Sequence, residues 1–455
     1  MQRILAGRAR TAEGWQSDVA VTVEKGRISA VESGQMPRPG DIRVDVLLPA
    51  LGNLHSHTFQ RAMAGMTEHR AAGQDSFWTW RSLMYRFVDQ LTPEDYQAIA
   101  ALTFMEMMEA GYAAVGEFHY VHHAPGGAPY ARLTELGDRV FAAAAETGIG
   151  LTHLPVLYSC GGAGEQPLAG GQQRFGNDIE RFAQLVTQAR AHAARTLPAD
   201  TRVGVAPHSL RAIRPGDLAE AVALADDNPI HIHIAEQPRE VEEIGAWLGA
   251  RPVEWLLAHT QLDAQWCLIH ATHMTEPETV AMARSGAVAG LCPITEANLG
   301  DGPFNGPLYL QHGGAFGIGS DSNVRIALGE ELRMLEYSQR LRHLQRNVMV
   351  AGQGSVGAAL YLGAAAGGAR ALGRDAGRIA PGTLADLVAI NTGGSVLCAL
   401  DGDQLLDGLC FAAPDRVVTD LWSAGRHMVR NGRHVNHDSV TQTYKTRLKA
   451  LVARL

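Results

Sequence analysis

Pro229-Ile230-His231-Ile232-His233-Ile234-Ala235-Glu236 alternates isoleucine with histidine and then ends on a carboxylate. A period of two is the mark of a strand, whose successive side chains point to opposite faces. Both imidazoles fall on one face, which would look into the interior of a barrel. His233 stands nearer the strand's end and is the expected metal ligand. His231 lies one layer deeper, where a structural role is expected. Glu236, just beyond, can reach a water held on a metal and is the expected proton-transfer group.

Seven further apolar runs accompany this one, at residues 47–54, 113–118, 150–157, 203–206, 267–269, 287–291 and 315–318. Helical stretches separate them. The first clear helix shows the pattern well: Thr92 can cap it, Pro93 suits the first helical position, Glu94 and Asp95 fill the first turn, and Gly111 closes it. Eight strands alternating with helices predict an α/β fold, a (β/α)8 barrel of the TIM type over residues 47–379 with its active site at the C-terminal strand ends. Polar residues stand at those ends: His55-Ser56-His57 after the first run, His270 after the sixth and Asp321 after the eighth.

His55 and His57, two residues apart, can point the same way. With His233 and Asp321 they make four protein ligands and leave a position for water. The donor set suits one divalent ion. Zn2+ is the favoured one, although Fe2+ or Mn2+ can use the same ligands. His270 would hydrogen-bond the water or the developing negative centre, and Asp321 could also shuttle a proton. Glu236, His270 and Asp321 are therefore the expected catalytic groups. One such histidine alone is more often a satisfied core residue; the ordered set carries the signal. No lysine ends the fourth run, Gly204-Val205-Ala206-Pro207-His208, which argues against a carbamylated lysine bridging two ions.

The bulk properties exclude other classes. A chain of 455 residues with 46% apolar and 19% charged residues has the make-up of a globular enzyme. Acids exceed bases by 47 to 39, for a net charge of -8, which disfavours a nucleic-acid partner. No apolar run is long enough to cross a membrane. The N-terminus lacks the apolar core of a signal peptide, so a cytoplasmic location is expected. Five scattered cysteines without a Cys-x-x-Cys pair suggest neither a disulfide framework nor a thiolate metal site.

The two chain ends share a strand-like texture, in Val19-Ala20-Val21-Thr22-Val23 and again in Asp386-Leu387-Val388-Ala389-Ile390. They predict one small β-rich, sandwich-like domain built from residues 1–46 and 380–435, followed by a C-terminal helix over 436–455. Residues 58–91 read as a long connector, and its Phe77-Trp78-Thr79-Trp80-Arg81 segment as a lid, a subunit contact or packing on the barrel rim.

His55-Ser56-His57, His233-Ile234-Ala235-Glu236, His270 and Gly319-Ser320-Asp321 together resemble the mononuclear deaminase branch of the amidohydrolase superfamily. The resemblance covers essentially the whole chain. Within that branch, His55-Ser56-His57-Thr58-Phe59-Gln60-Arg61, Gly116-Glu117-Phe118-His119-Tyr120 and Ala206-Pro207-His208-Ser209-Leu210-Arg211 are most similar to the formimidoylglutamate deiminase family. That similarity implies deimination of N-formimidoyl-L-glutamate to N-formyl-L-glutamate and ammonia in histidine degradation, and a homodimer. It also implies that Gln60, Arg81, Tyr120, His208 and Arg211 hold the glutamate part. Arginine forks suit carboxylates.

The alternative enzyme is an aminohydrolase of a purine, pterin or triazine ring with the same metal set, which would need a flat apolar slot. A non-catalytic binding relative would have lost Glu236 or a ligand, and none is lost. Deaminases that act on nucleobases in DNA or RNA carry a Pro-Cys-x-x-Cys element, and only Cys292-Pro293, in reverse order, occurs here.

Overall fold

The computed structural model describes residues 1–69 and 77–455. Its chain begins in an eight-stranded sheet. Strands β1 (Gln2–Thr11), β2 (Gly14–Glu24), β3 (Arg27–Glu32) and β4 (Ile42–Pro49) open that sheet from the N-terminus. The barrel strands follow: β5 (Leu51–Ser56), β6 (Tyr112–His119), β7 (Gly150–Leu157), the short pieces β8 (Arg202–Val203) and β9 (Ala206–Pro207), β10 (Ile230–Ile234), β11 (Trp266–His270), β12 (Val288–Leu291) and β13 (Ala315–Ile318). The chain then returns to the first sheet with β14 (Leu387–Ile390), β15 (Val418–Ser423), β16 (Arg426–Arg430) and β17 (Arg433–His434). In that sheet the order is β17-β16-β15-β14-β4-β1-β2-β3, so the two chain ends meet where β14 pairs with β4.

The run at 47–54, read as one strand, is two. Residues up to Pro49 pair with β14, and pairing to the barrel starts at Leu51, opposite Tyr112. Proline has no N–H to give to a ladder, and the Ala50 N–H, donated to Asp386 O, is the last bond on the β14 side before the barrel pairing begins. The C-terminal part of the small domain is not all strand either. Helix Asp403–Phe411 is inserted there and packs on helices Leu328–His343 and Val356–Ala371.

The barrel strands form two parallel sheets, β5-β6-β7-β8 with β9 beside β7, and β10-β11-β12-β13. Isolated parallel bridges join them, Val205 to Ile230 at one seam and Ser56 to Asp321 at the other. The predicted fourth strand is broken because the chain presses on its neighbour at Gly204, where a Cβ would stand 2.3 Å from Pro229 O. Leu54, Ala114, Cys267, Ile269, Val288 and Leu372 fill the barrel's interior. Thr152 Oγ1 donates to Leu372 O, and His231 Nε2 lies 2.8 Å from Ala371 O. The end of helix Val356–Ala371 thus plugs the barrel below the site.

The predicted connector at 58–91 contains structure of its own. A 3-10 turn spans Thr58–Met63 and an α-helix spans Phe77–Gln90. The side chains of Phe77, Trp78 and Thr79 lie outside the described residues, whereas Trp80 and Arg81 line the central pocket. Helix Pro93–Ala110 carries the reciprocal Thr92–Asp95 cap and ends at Gly111, whose φ of 107° only glycine adopts readily. The C-terminal helix, His437–Val452, packs on it. Among the described residues no helix is long and apolar enough to cross a membrane.

Candidate active site

Strand ends bring the distant residues together. His55 Nε2 lies 3.1 Å from His233 Nε2 and 3.5 Å from Asp321 Oδ1, and His57 Nε2 lies 3.3 Å from the same oxygen. The other ring nitrogens explain the orientation. His57 Nδ1 is 3.0 Å from Phe118 O and His233 Nδ1 is 3.1 Å from His208 O, so each Nδ1–H donates to a carbonyl. Each Nε2 then presents a bare lone pair to one point. Lone pairs converging on a carboxylate in a buried site fit a cation of the zinc type, with fixed tautomers behind the donors. Burial pushes the His55 imidazole down to about 3, against the pull of Asp321, which favours its neutral, ligating form. The chain has only three lysines, Lys25, Lys445 and Lys449, and none lies in the barrel.

The strand ends are strained where they deliver these groups. Ala235, His270, Ala271 and Asp321 all have positive φ, between 46° and 67°. Such conformations cost of order 1–3 kcal/mol each and persist where surrounding bonds impose them. After β10 the holding group is Glu240, whose carboxylate accepts the N–H groups of Ala235 and Glu236. At the β5–β13 seam it is Asn323, whose Nδ2 donates to Ser56 Oγ, His57 O and Asp321 O.

His270 stands between carboxylates. Its Nε2 faces Glu236 Oε1 at 3.6 Å and Asp321 Oδ2 at 3.8 Å, while its Nδ1 lies 3.2 Å from Glu296 Oε1. Burial works against the charge, but Glu236, Glu296 and Asp321 override it and raise His270 to about 10. Glu236 is driven the other way from an ordinary carboxyl: burial lifts it to about 7, opposed by His270. Glu296 also accepts the Cys292 N–H. Asn298 instead reaches out to Glu68.

Gln60, Arg81, Tyr120, His208 and Arg211 line the same pocket as His57, His233, Glu236, His270 and Asp321. Gln60 Nε2 donates to Tyr120 OH at 2.8 Å, and Arg81 Nη2 donates to Tyr158 OH at 2.9 Å. Arg211 is buried, and its Nη1 has no hydrogen-bond partner among the described residues. Burial opposes its charge, yet Tyr158, Glu240 and Glu236 hold its pKa above the usual value. Burial, then the charges of Arg211 and Arg81, push the His208 imidazole well below its usual value and favour the neutral form. His231 stays out of the pocket, against Ala371.

Sequence reasoning missed Tyr85, Tyr158 and Asp301. Tyr85 lies beneath Arg81, whose guanidinium carbon is 5.2 Å from the ring centroid, and Tyr158 also accepts from Gln172. An aromatic residue in a barrel protein reads as core, so nothing set these two apart. Asp301 had a signal, the flanking glycines of Gly300-Asp301-Gly302.

Fold and site together define a hydrolase of the amidohydrolase type, and comparison with known proteins agrees. A model of the amidohydrolase family matches residues 46–428, and one of the N-terminal domain of formimidoylglutamate deiminase HutF matches residues 1–45. The chain belongs to the amidohydrolase family and, within it, to the formimidoylglutamate deiminases. Formimidoylglutamate deiminase of Pseudomonas aeruginosa is 47% identical over 447 residues, 98% of either chain. A crystal structure of an amidohydrolase from Brucella melitensis, 47% identical, superposes with a TM-score of 0.94 over 99% of this chain and 100% of that one. More distant is the 5-methylthioadenosine/S-adenosylhomocysteine deaminase of Natronomonas pharaonis, 29% identical over 94% of this chain and 90% of its own. An adenosine deaminase from Xanthomonas campestris, solved with bound zinc, shares the fold at 21% identity, with a TM-score of 0.82 over 99% of this chain and 98% of its own.

Proposed function

We propose that this chain hydrolyses N-formimidoyl-L-glutamate to N-formyl-L-glutamate and ammonia, a step of histidine degradation, with one divalent cation, Zn2+, at its centre. His55, His57, His233 and Asp321 would hold the cation, whose chemistry is to make water nucleophilic at neutral pH. The observation that carries the reading is the pairing of a proton-transfer end with a cationic end in one pocket. Glu236, His270 and Asp321 would serve as the first, and Arg81 and Arg211, which line the same pocket, as the second.

The substrate has two carboxylates and, at its other end, a flat electron-poor amidine carbon. Arg211, whose buried Nη1 has no hydrogen-bond partner among the described residues, is suited to a carboxylate, and Arg81 with Tyr158 and Tyr85 supplies a second cationic wall. Gln60, Tyr120 and His208 complete that wall. Glu236 accepts a proton from the attacking water as the new C–O bond forms. It then passes that proton to the amidine nitrogen, the C–N bond breaks, and ammonia leaves. His270, held charged by Glu296, donates to the oxygen during both steps. Asp321 is placed to assist the second proton transfer. A purine or triazine would bring no carboxylate to the buried Nη1 of Arg211, at a cost of about 1–3 kcal/mol for the stranded group.

Ammonia release from N-formimidoyl-L-glutamate by metal-loaded protein tests the reading. Glu236→Gln should lower kcat by about 10²–10⁴-fold with metal content unchanged. Fully metallated wild-type protein that releases no ammonia from this compound would overturn it.

A further inference from the structure

Asp301 is a fourth carboxylate near the reacting groups, alongside Glu236, Glu296 and Asp321. It is only 2% exposed, although it belongs to the loop after helix Pro293–Leu299. Gly300 and Gly302 flank it with φ of 73° and 108°, and these two left-handed residues fold the loop so that the aspartate points inward. Its N–H donates to Glu296 O, which ties the loop to the helix that also carries the His270 partner. One oxygen of Glu236, one of Asp301 and one ring nitrogen of His270 lie within 4.8 Å of one another.

The two oxygens of Asp301 differ. Oδ1 accepts the side-chain amide of Gln237, the residue next to Glu236. Oδ2 is buried and has no hydrogen-bond partner among the described residues. A buried carboxylate oxygen with neither donor nor countercharge is costly, whereas a carboxylic acid needs only an acceptor. Two carboxyls this close in a dry site do not both ionise; one of them keeps the proton. Glu236 has the imidazole of His270 at 3.6 Å to balance its charge; Asp301 lies within 4.8 Å of the same ring but is hydrogen-bonded only to the neutral amide of Gln237 among the described residues.

We propose that Asp301 is a positioning residue for the deimination reaction: a neutral carboxylic acid whose O–H is directed at Glu236 and holds that carboxylate toward the reacting nitrogen. The proposal rests on the functional reading above only for the reaction it serves. No co-reactant is required, since the Asp301 proton is shared with Glu236 and not consumed. The groups around Asp301 agree with the assignment. Glu236 and Gln237 face it from the turn after β10, His270 from the end of β11 and His273 from just past it, Glu296 from helix Pro293–Leu299 and Asp321 from beyond β13. Burial first, and then the charge of Glu236, raise the Asp301 carboxyl to about 9, so it retains its proton where Glu236 has lost its own.

The experiment compares Asp301→Asn with Asp301→Ala in the metal-loaded enzyme. Asparagine keeps the shape and an N–H donor, so kcat should stay within about threefold and the acid limb of the pH profile should stay in place. Alanine removes the donor, so kcat should fall about 10²-fold with KM nearly unchanged, and the acid limb should move to higher pH. Loss in both variants with an unmoved pH profile, or no loss in either, overturns the proposal. So does an acid limb that moves to lower pH in Asp301→Asn, since that would mean a like charge had been removed. A readout independent of turnover is the carbonyl stretch of neutral carboxylic acid in the infrared spectrum at pH 8. One such band should be lost from wild type to Asp301→Asn, and an unchanged spectrum overturns the proposal even if the wild-type enzyme acts on a different substrate.

Discussion

Asn53 and Ser320 exchange two hydrogen bonds across the seam between the first and last barrel strands. Asn53 Nδ2 donates to Ser320 Oγ at 2.6 Å, and the Ser320 N–H donates to Asn53 Oδ1 at 3.0 Å. Ser320 Oγ in turn donates to Asn323 Oδ1. One end of this chain sits two residues before His55 and the other sits beside Asp321. It therefore fixes the spacing between ligands that come from opposite ends of the barrel. Asn53→Ala should weaken metal retention by about 10–100-fold, the usual effect of removing a group that orients ligands. The check is metal content after dialysis against graded chelator; unchanged retention would separate the seam from the metal site.

The pH dependence follows from Glu236. It must be ionised to accept a proton, and burial, opposed by His270, lifts its carboxyl to about 7. Activity should fall as pH drops through that point, about tenfold for each pH unit well below it. A cation nearby favours the ionised form and moves the limb lower. On the alkaline side His270 holds its proton to about 10, so the profile should stay flat through pH 8 and fall only near that value. A profile that rises toward acid would contradict the role given to Glu236.

Arg211→Ala should act on binding. A charge-assisted hydrogen bond is worth about 1.5–3 kcal/mol, so kcat/KM for the dicarboxylate should fall about 10–100-fold, mostly through KM. Shortening the substrate by one carboxylate should reproduce part of that loss in wild type and add little in the variant. Equal losses on both substrates in wild type and variant would place Arg211 elsewhere.

Much of the site was legible because a barrel strand has a simple grammar. A period of two decides which side chains face inward, and the last inward residue of a strand meets the pocket. His55, His233 and His270 lie on their strands and obey it, whereas His57 and Asp321 stand just past the ends of β5 and β13. The break at Pro49 was not legible, since Leu47 to Leu54 is one apolar run and only pairing partners tell its halves apart. Tyr85 and Tyr158 were hidden for another reason: their rings bury like core residues, and only the Arg81 contact gives them a role. Asn53 and Asn323 are small polar residues in buried backbone, and their value appears only when two strands far apart in sequence are side by side.

The two histidines of β10 offer the sharpest separation of fold from function. They lie two residues apart on one face, yet His233 points at His55 and Asp321 lies on that side, while His231 is bonded to Ala371 O in the barrel floor. His233→Ala should therefore lose the metal and all turnover while folding normally. His231→Ala strands a buried carbonyl and opens a small cavity, which should cost about 2–4 kcal/mol of stability. For a protein of this size that lowers Tm by several degrees, whereas kcat per bound metal should stay within about twofold. Thermal melts, metal analysis and turnover on the same two preparations decide the matter. If His231→Ala also strips the metal, the plug formed by Ala371 and Leu372 is part of the site's support, and the division between the two layers fails.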